Sequence, residues 1–105
     1  MIEITKNEDH ILVKPGRDLV ASMVSGFSEQ IKTLMAESPK MIVIDLTGVR
    51  IVDSLGMGVL ISTHNHLTKA GSSLKVINTP PDIYEAFVIM RLDHHFTIEP
   101  LSCPD

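Results

Sequence analysis

Residues 51–60 read IVDSLGMGVL, and this stretch decides how the rest of the chain is interpreted. It places Asp53 and Ser54 at the predicted start of a helix, with Gly56 and Gly58 inside the first turns. Each glycine within a helix costs about 1 kcal/mol relative to alanine. We therefore expect a backbone or a partner surface to come close at both glycines. Helix capping by itself also accounts for Asp53 and Ser54, because such side chains satisfy free N–H groups at a helix start.

The predicted helix runs from about Ser54 to Lys69 and is closed by Gly71. At about 100° per residue, one side gathers the residues expected to face a sheet. These are Met57, Leu60, Ile61, His64 and Leu67. The opposite side gathers a second set, called here the outer stripe: Leu55, Val59, Ser62 and His66. The outer stripe begins beside Ser54 and holds aliphatic residues where charge is usual, so we predict that it binds a partner.

The segments before this helix have their own periodicities. Alternating apolar residues on either side of Asn7-Glu8-Asp9 predict an N-terminal hairpin. Apolar residues at three- and four-residue steps then predict a helix from about Ser22 that stops before Pro39. Its apolar face holds Met23, Phe27, Ile31, Leu34 and Met35. The β-branched run at residues 41–44 predicts a central strand covered on both faces.

The segments after the helix complete the fold. Residues 74–77 predict a strand, and TPPD at residues 79–82 predicts a helix start capped by Thr79. The buried face of this third helix is expected to hold Ile83, Phe87 and Met90. Residues 96–98 predict a last strand. The order indicates an α/β fold: a mixed central β-sheet, made of an N-terminal hairpin followed by β-α-β-α-β units, with helices packed on it.

Size and charge narrow the function classes. The 105 residues suit a single domain spanning 1–105. Nine Lys and Arg against thirteen Asp and Glu give a net charge of −4 without a basic run, which disfavours nucleic acid and anionic membranes as partners. The start lacks signal-peptide features, and no apolar stretch approaches the roughly 20 residues that span a bilayer. We therefore expect no membrane insertion and a cytoplasmic location. Cys103 stands alone, without a disulfide partner.

The motif around residue 53 resembles that of the STAS domain family, of the anti-sigma factor antagonist type. In that family a strand ending in Asp leads through a short loop to Asp-Ser or Asp-Thr, and then to a helix with spaced glycines and a Leu. The matching residues here are Asp45-Leu46-Thr47-Gly48-Val49, Asp53-Ser54, Gly56 and Leu60. The order of elements matches over about residues 2–98.

The resemblance implies a non-enzymatic bacterial signalling module without a cofactor. It implies that Ser54 is phosphorylated by a kinase-type anti-sigma factor and restored by a serine phosphatase. The unphosphorylated form would capture the anti-sigma factor and so regulate transcription. We predict a partner surface made of Asp53, Ser54, Leu55, Gly56, Gly58, Val59, Ser62 and His66. Many such antagonists carry an acidic residue after the Leu that enters the first helix, whereas Val20 follows Leu19 here.

Other functions remain as alternatives. Within the same family, the chain could be a subunit of another signalling assembly or of a lipid-transport assembly. A hydrolase elbow would need Gly two places before Ser54, where Val52 stands, and a dinucleotide fingerprint would need Gly at the position of Ile61. His64 and His66 lie about 200° apart on the helix, so they do not converge on a metal ion. An enzyme is therefore the weaker alternative.

Overall fold

The computed structural model describes residues 2–101, and within them the chain forms five strands and three α-helices. In chain order these are β1 (Glu3–Lys6), β2 (Ile11–Lys14), α1 (Ala21–Met35), β3 (Met41–Asp45), α2 (Ser54–Lys69), β4 (Ser73–Thr79), α3 (Pro81–Ile89) and β5 (Thr97–Pro100). A short 3₁₀ turn at Leu92–His94 precedes β5. Cys103 lies outside the described residues. The predicted hairpin and alternating units are confirmed.

The strands form one mixed sheet in the order β1-β2-β3-β4-β5. β1 and β2 pair antiparallel, and every later pair is parallel. Because the order is sequential and crossovers between parallel strands are right-handed, the three helices lie on the same face of the sheet. The predicted α/β class is therefore confirmed.

The hydrophobic core lies between that face and the helices. The sheet contributes Ile11, Val13, Ile42, Ile44, Leu74 and Val76, and the helices contribute Phe27, Ile31, Leu34, Leu60, Leu67 and Phe87. Val43 alternates to the opposite face and is buried outside this core, between its register partners Leu12 and Lys75. Residues on both faces of this central strand are therefore buried, as the apolar run predicts, although helices cover only one face.

The third helix starts later than its sequence indicates. Thr79 does not cap it but ends β4, since its carbonyl oxygen accepts a hydrogen bond from the Leu101 N–H at 2.7 Å. Pro80 takes the capping position without a side-chain hydrogen bond. Met90 follows the helix end and is exposed, so its predicted burial is wrong, whereas Ile83 and Phe87 are buried as predicted. The last strand also lies slightly later than predicted.

The buried side of α2 follows the predicted face. Met57, Leu60 and Leu67 are buried, whereas Ile61 and His64 are half-buried. Thr63 is also buried, and its hydroxyl donates to the Val59 carbonyl oxygen at 2.7 Å, which satisfies the polar group within the helix. Gly71 has a φ of +78°, as a helix-terminating glycine requires. Among residues 2–101, no helix is long and apolar enough to cross a membrane.

Candidate functional site

Ser54 is the first residue of α2 and lies exposed at the end of the loop that leaves β3. Its neighbour Asp53 has extended backbone geometry and caps the helix, because one carboxylate oxygen accepts a hydrogen bond from the Gly56 N–H at 2.9 Å. Capping of this kind satisfies a donor that has no partner within the helix. The predicted cap is therefore present, and it leaves the Ser54 side chain at the surface.

The same Asp53 carboxylate also serves the first helix. Its second oxygen accepts a hydrogen bond from the Ala21 N–H at 2.9 Å. No side chain caps α1 from its own capping position, Val20. Asp53 therefore satisfies donors at the starts of two helices and fixes the start of α2 against the start of α1.

A short parallel bridge reinforces this junction. Leu19 pairs with Val52, and the two segments exchange hydrogen bonds from the Leu19 N–H to the Ile51 oxygen and from the Asp53 N–H to the Leu19 oxygen. A Cβ placed on Gly56 would meet the Leu19 carbonyl oxygen. The expectation of close backbone approach at Gly56 is therefore confirmed, and the approaching backbone is that of the segment before α1.

Asp18 ties down the preceding part of the loop. One of its carboxylate oxygens accepts hydrogen bonds from the Arg50 N–H at 2.8 Å and from the Ile51 N–H at 3.1 Å. Asp18, which precedes α1, thus binds the loop before α2, and Asp53, in that loop, binds the start of α1. Each contact spans about 32 positions of sequence. The loop before Ser54 is therefore held by hydrogen bonds to its backbone as well as by the burial of Leu46 and Val49 in the core.

Asp45 closes the turn that leaves β3. One carboxylate oxygen accepts hydrogen bonds from the Thr47 N–H, the Thr47 hydroxyl and the Asn78 side-chain amide, at 2.9, 2.7 and 3.0 Å. Burial by itself would raise the pKa of Asp45, but these hydrogen bonds and the positive charge of Lys14 outweigh it. The pKa therefore lies below its ordinary value of 3.8, and the charged form stabilises the turn.

The outer stripe lines one wall of a groove between α1 and α2. The opposite wall consists of residues from α1: Val24, Ser28, Lys32 and Met35. Leu55 is 54% exposed, whereas Val59 is half-buried and packs against the core. Ser62 and His66 are exposed farther along the helix. The groove thus begins next to Ser54 and ends between the basic side chains Lys32 and His66.

Gly58 lies in this groove without a close neighbour. A Cβ placed there would meet no atom within 4 Å, in contrast to Gly56. Within residues 2–101, therefore, the expected close approach does not occur at Gly58, since a Cβ there would face open space. Approach by a partner at Gly58 stays a prediction.

Sequence reasoning missed the α1 side of the site. The apolar face predicted for α1 is the face that packs on the core. Val24, Ser28 and Lys32 lie on the adjacent face, and this face lines the groove because α1 and α2 pack side by side. The four-residue steps between these three residues were the available signal. Asp18 gave no local signal, because its partners lie more than 30 residues away.

His64 lies among aromatic side chains at the edge of the core. The half-buried ring of His64 packs near Phe96 and His95, with ring centroids 5.3 and 6.1 Å away. Within residues 2–101, no group of three or more His, Cys, Asp or Glu side chains is placed to hold a metal ion. His64 therefore lies at the edge of the core, as its position on the helix predicts.

Comparisons with known proteins identify a family and a fold. The family described as "STAS domain" matches residues 1–101. An anti-sigma factor antagonist from Mycobacterium paratuberculosis is 22% identical, with a TM-score of 0.83, over 95% of this chain and 85% of that one. Among curated proteins, no sequence match is found.

Two further solved structures have the same fold. The Bacillus cell fate determinant SpoIIAA in its phosphorylated form is 14% identical, with a TM-score of 0.76, over 93% of this chain and 90% of that one. RsbS from Moorella thermoacetica is 21% identical, with a TM-score of 0.76, over 97% of this chain and 87% of that one. At these identities the likeness establishes the fold.

Proposed function

Because the chain belongs to the STAS domain family, we propose that it acts as an anti-sigma factor antagonist switched by phosphorylation of Ser54. In this proposal the unphosphorylated form captures a serine-kinase anti-sigma factor in the cytoplasm and thereby regulates transcription. A serine phosphatase removes the phosphoryl group and so restores the form that captures the partner. In this proposal the chain acts by binding its partner and catalyses no reaction itself.

The observation that carries the proposal is the placement of Ser54. Its side chain is exposed at a helix start whose position is fixed by the two hydrogen bonds of the Asp53 carboxylate, to α1 and to α2. A kinase needs an accessible hydroxyl in a reproducible position, and this junction supplies one. The phosphorylated form of SpoIIAA, which has the same fold, supports phosphorylation as the switch.

The partner surface in this proposal is the groove between α1 and α2. Leu55 supplies an exposed aliphatic contact directly beside Ser54, and Val59 continues it along the helix. Gly58 leaves the space between them open, because no atom lies within 4 Å of a Cβ placed there. An apolar centre with polar ends is typical of a protein interface. Ser54 then lies at the rim of the contact that it controls.

Phosphorylation would change the charge of this rim without unfolding the domain. A phosphoryl group adds about −1.5 to −2 charge at neutral pH. A helix N-terminus accommodates such a charge favourably, so the fold survives. The group would stand beside the Asp53 carboxylate, and a partner surface shaped for a neutral hydroxyl would meet repulsion and an added cost of desolvation.

The test uses the serine-kinase anti-sigma factors encoded in the same genome. Each is incubated with the protein and ATP, phosphate incorporation is located by mass spectrometry, and binding is measured by calorimetry. Ser54→Ala should bind the cognate partner without being phosphorylated, and Ser54→Asp should bind more weakly by about tenfold or more. Ser73 is the control, because it is exposed at the start of β4, at the opposite end of the parallel strands from Ser54, and Ser73→Asp should bind as the parent does.

Equal affinities of Ser54→Ala and Ser54→Asp for the partner would exclude the switch. Binding to none of these kinases, together with recovery of the protein in a larger assembly, would instead support the alternative role as a STAS subunit of another signalling or lipid-transport complex. Hydrolysis of a nucleotide or ester by the purified protein, lost in Ser54→Ala, would exclude the binding-module proposal altogether.

A further inference from the structure

The two edges of the sheet differ in how well they are protected against pairing with another strand. β5 contains Pro100, and its pairing with β4 has a register shift between Val76 and Thr79. Proline and irregular pairing both discourage the addition of a further strand. β1 contains no proline, pairs regularly with β2, and all four of its residues are exposed. The β1 edge is therefore the one available for strand addition.

The hydrogen-bond pattern of the hairpin shows which backbone groups of β1 are free. The Asn7 N–H donates to the His10 oxygen at 2.9 Å, so the backbone groups of Asn7 point toward β2. Along an antiparallel pair this direction alternates from residue to residue. The groups of Thr5 therefore also point toward β2, whereas those of Ile4 and Lys6 point away from it, and Ile2 continues the same alternation.

We propose that β1 pairs antiparallel with β1 of a second copy of this chain, on a two-fold axis that passes between the two Ile4 residues. In this register each Ile4 N–H donates to the Ile4 carbonyl oxygen of the partner subunit. Lys6 lies opposite Ile2 of the partner subunit, again with outward-pointing groups on both sides. Every outward-pointing backbone group between residues 2 and 6 then has a hydrogen-bond partner. A register displaced by two residues would leave some of these groups without one.

The side chains of β1 suit this register. Ile4 is opposite Val13 in the hairpin, so it lies on the helix face, and it is 38% exposed in a notch that it shares with Leu34. The two Ile4 side chains would cover one another on that face. Lys6 is already paired with Glu37 of its own chain at 2.8 Å, and Glu3 lies opposite Thr5 of the partner subunit, so no like charges face each other.

In this pairing, residues that lie opposite each other have their side chains on the same face of the joined sheet. The two-fold axis of the dimer is therefore perpendicular to the sheet. Both sets of helices then lie on the same side of one continuous sheet. Neither Ser54 nor the groove between α1 and α2 is covered, since both lie away from the β1 edge. The proposed pairing is therefore independent of the phosphorylation switch and stands or falls separately from it.

The register is tested by cross-linking in a Cys103→Ser background. A disulfide requires Cα atoms within about 4.4–6.8 Å. Ile4→Cys satisfies this on the axis, whereas the two Thr5 residues are displaced diagonally by about 7–8 Å. Both positions are exposed neighbours on one strand. Under mild oxidation, Ile4→Cys should give about tenfold more covalent dimer than Thr5→Cys. Equal yields, or a higher yield for Thr5→Cys, would overturn the proposal.

A second variant tests the hydrogen bonds without a cross-link. Ile4→Pro removes an N–H that points away from β2, so the hairpin ladder is retained while pairing at the axis is lost. Sedimentation velocity should show a concentration-dependent dimer for the parent and a monomer for Ile4→Pro, with similar melting midpoints at concentrations at which the parent is also monomeric. A parent that stays monomeric over the whole concentration range, or an Ile4→Pro variant that remains dimeric, would contradict the proposal.

Discussion

The carboxylate of Asp53 accepts a hydrogen bond from the backbone N–H of Ala21 at 2.9 Å, across 32 positions of sequence. Its other oxygen holds the Gly56 N–H at the same distance. Because one rigid carboxylate makes both contacts, neither helix start can shift without disturbing the other. The position of Ser54 at the surface is therefore set by the packing of α1 against α2.

Two substitutions of Asp53 should distinguish how much each of these hydrogen bonds contributes to stability. Loss of a helix cap costs about 1 kcal/mol, so Asp53→Ala, which loses both, should lower the free energy of unfolding by about 2 kcal/mol. Asp53→Ser can still cap α2 but cannot reach Ala21 as well, and should lose about half as much. Urea denaturation measures both values. Equal losses for the two variants would show that the contact to Ala21 contributes nothing.

The two glycines of α2 should respond in opposite directions to the same substitution. Gly56→Ala forces a methyl group against the Leu19 carbonyl oxygen, and overpacking of this kind costs about 1–3 kcal/mol. Gly58→Ala enters open space and should stabilise the helix by up to about 1 kcal/mol. Thermal melting of the pair provides the comparison. A Gly56→Ala variant more stable than the parent would mean that the backbone at Leu19 moves aside at little cost.

Leu55 and Ile51 form a matched pair for testing the partner surface, because each is 54% exposed. Leu55 lines the groove between α1 and α2, whereas Ile51 lies in the loop outside it. Leu55→Glu should weaken binding of the anti-sigma factor by about tenfold or more while changing stability by about 0.5 kcal/mol at most. Ile51→Glu should bind nearly as the parent does. Equal losses of affinity would place the contact outside the groove.

Asp45 should make the turn after β3 sensitive to acid. Its pKa is lower in the folded protein than its ordinary value of 3.8, so the charged carboxylate contributes stability above that pH, and the contribution is lost as the pH falls through the folded-state pKa. Asp45→Asn removes the charge but keeps an oxygen acceptor. The parent should be more stable than Asp45→Asn at neutral pH, and the difference should shrink below about pH 3.8 in urea titrations. A difference independent of pH would contradict the assignment.

Elements whose signals are local could be predicted from the sequence. The apolar spacing of α2, the glycine that terminates it and the β-branched run of β3 each depend on a few adjacent residues, and the structure confirms all three. The cap at Asp53 follows from the chemistry of a helix start. These features need no knowledge of the rest of the chain.

Features that depend on distant pairing were missed or misplaced. Thr79 has the local sequence of a helix cap, but pairing with Pro100 keeps it in the strand. The Asp18 carboxylate and the backbone N–H and oxygen of Leu19 hold the loop before Ser54, and neither belongs to a recognisable sequence motif. Val43 is buried as its apolar run predicts, but only the sequential strand order shows that no helix covers its face. Local propensity carries none of this information.

The bridge between Leu19 and Val52 has a consequence for how an enzyme could recognise Ser54. The surface around this serine is assembled from two segments about 32 residues apart, so it exists only in a completed fold. A kinase that reads this surface would ignore a short peptide containing Ser54, and would ignore a misfolded copy as well. Phosphorylation would then be restricted to correctly folded molecules, and a search for a linear substrate motif would fail to find the site.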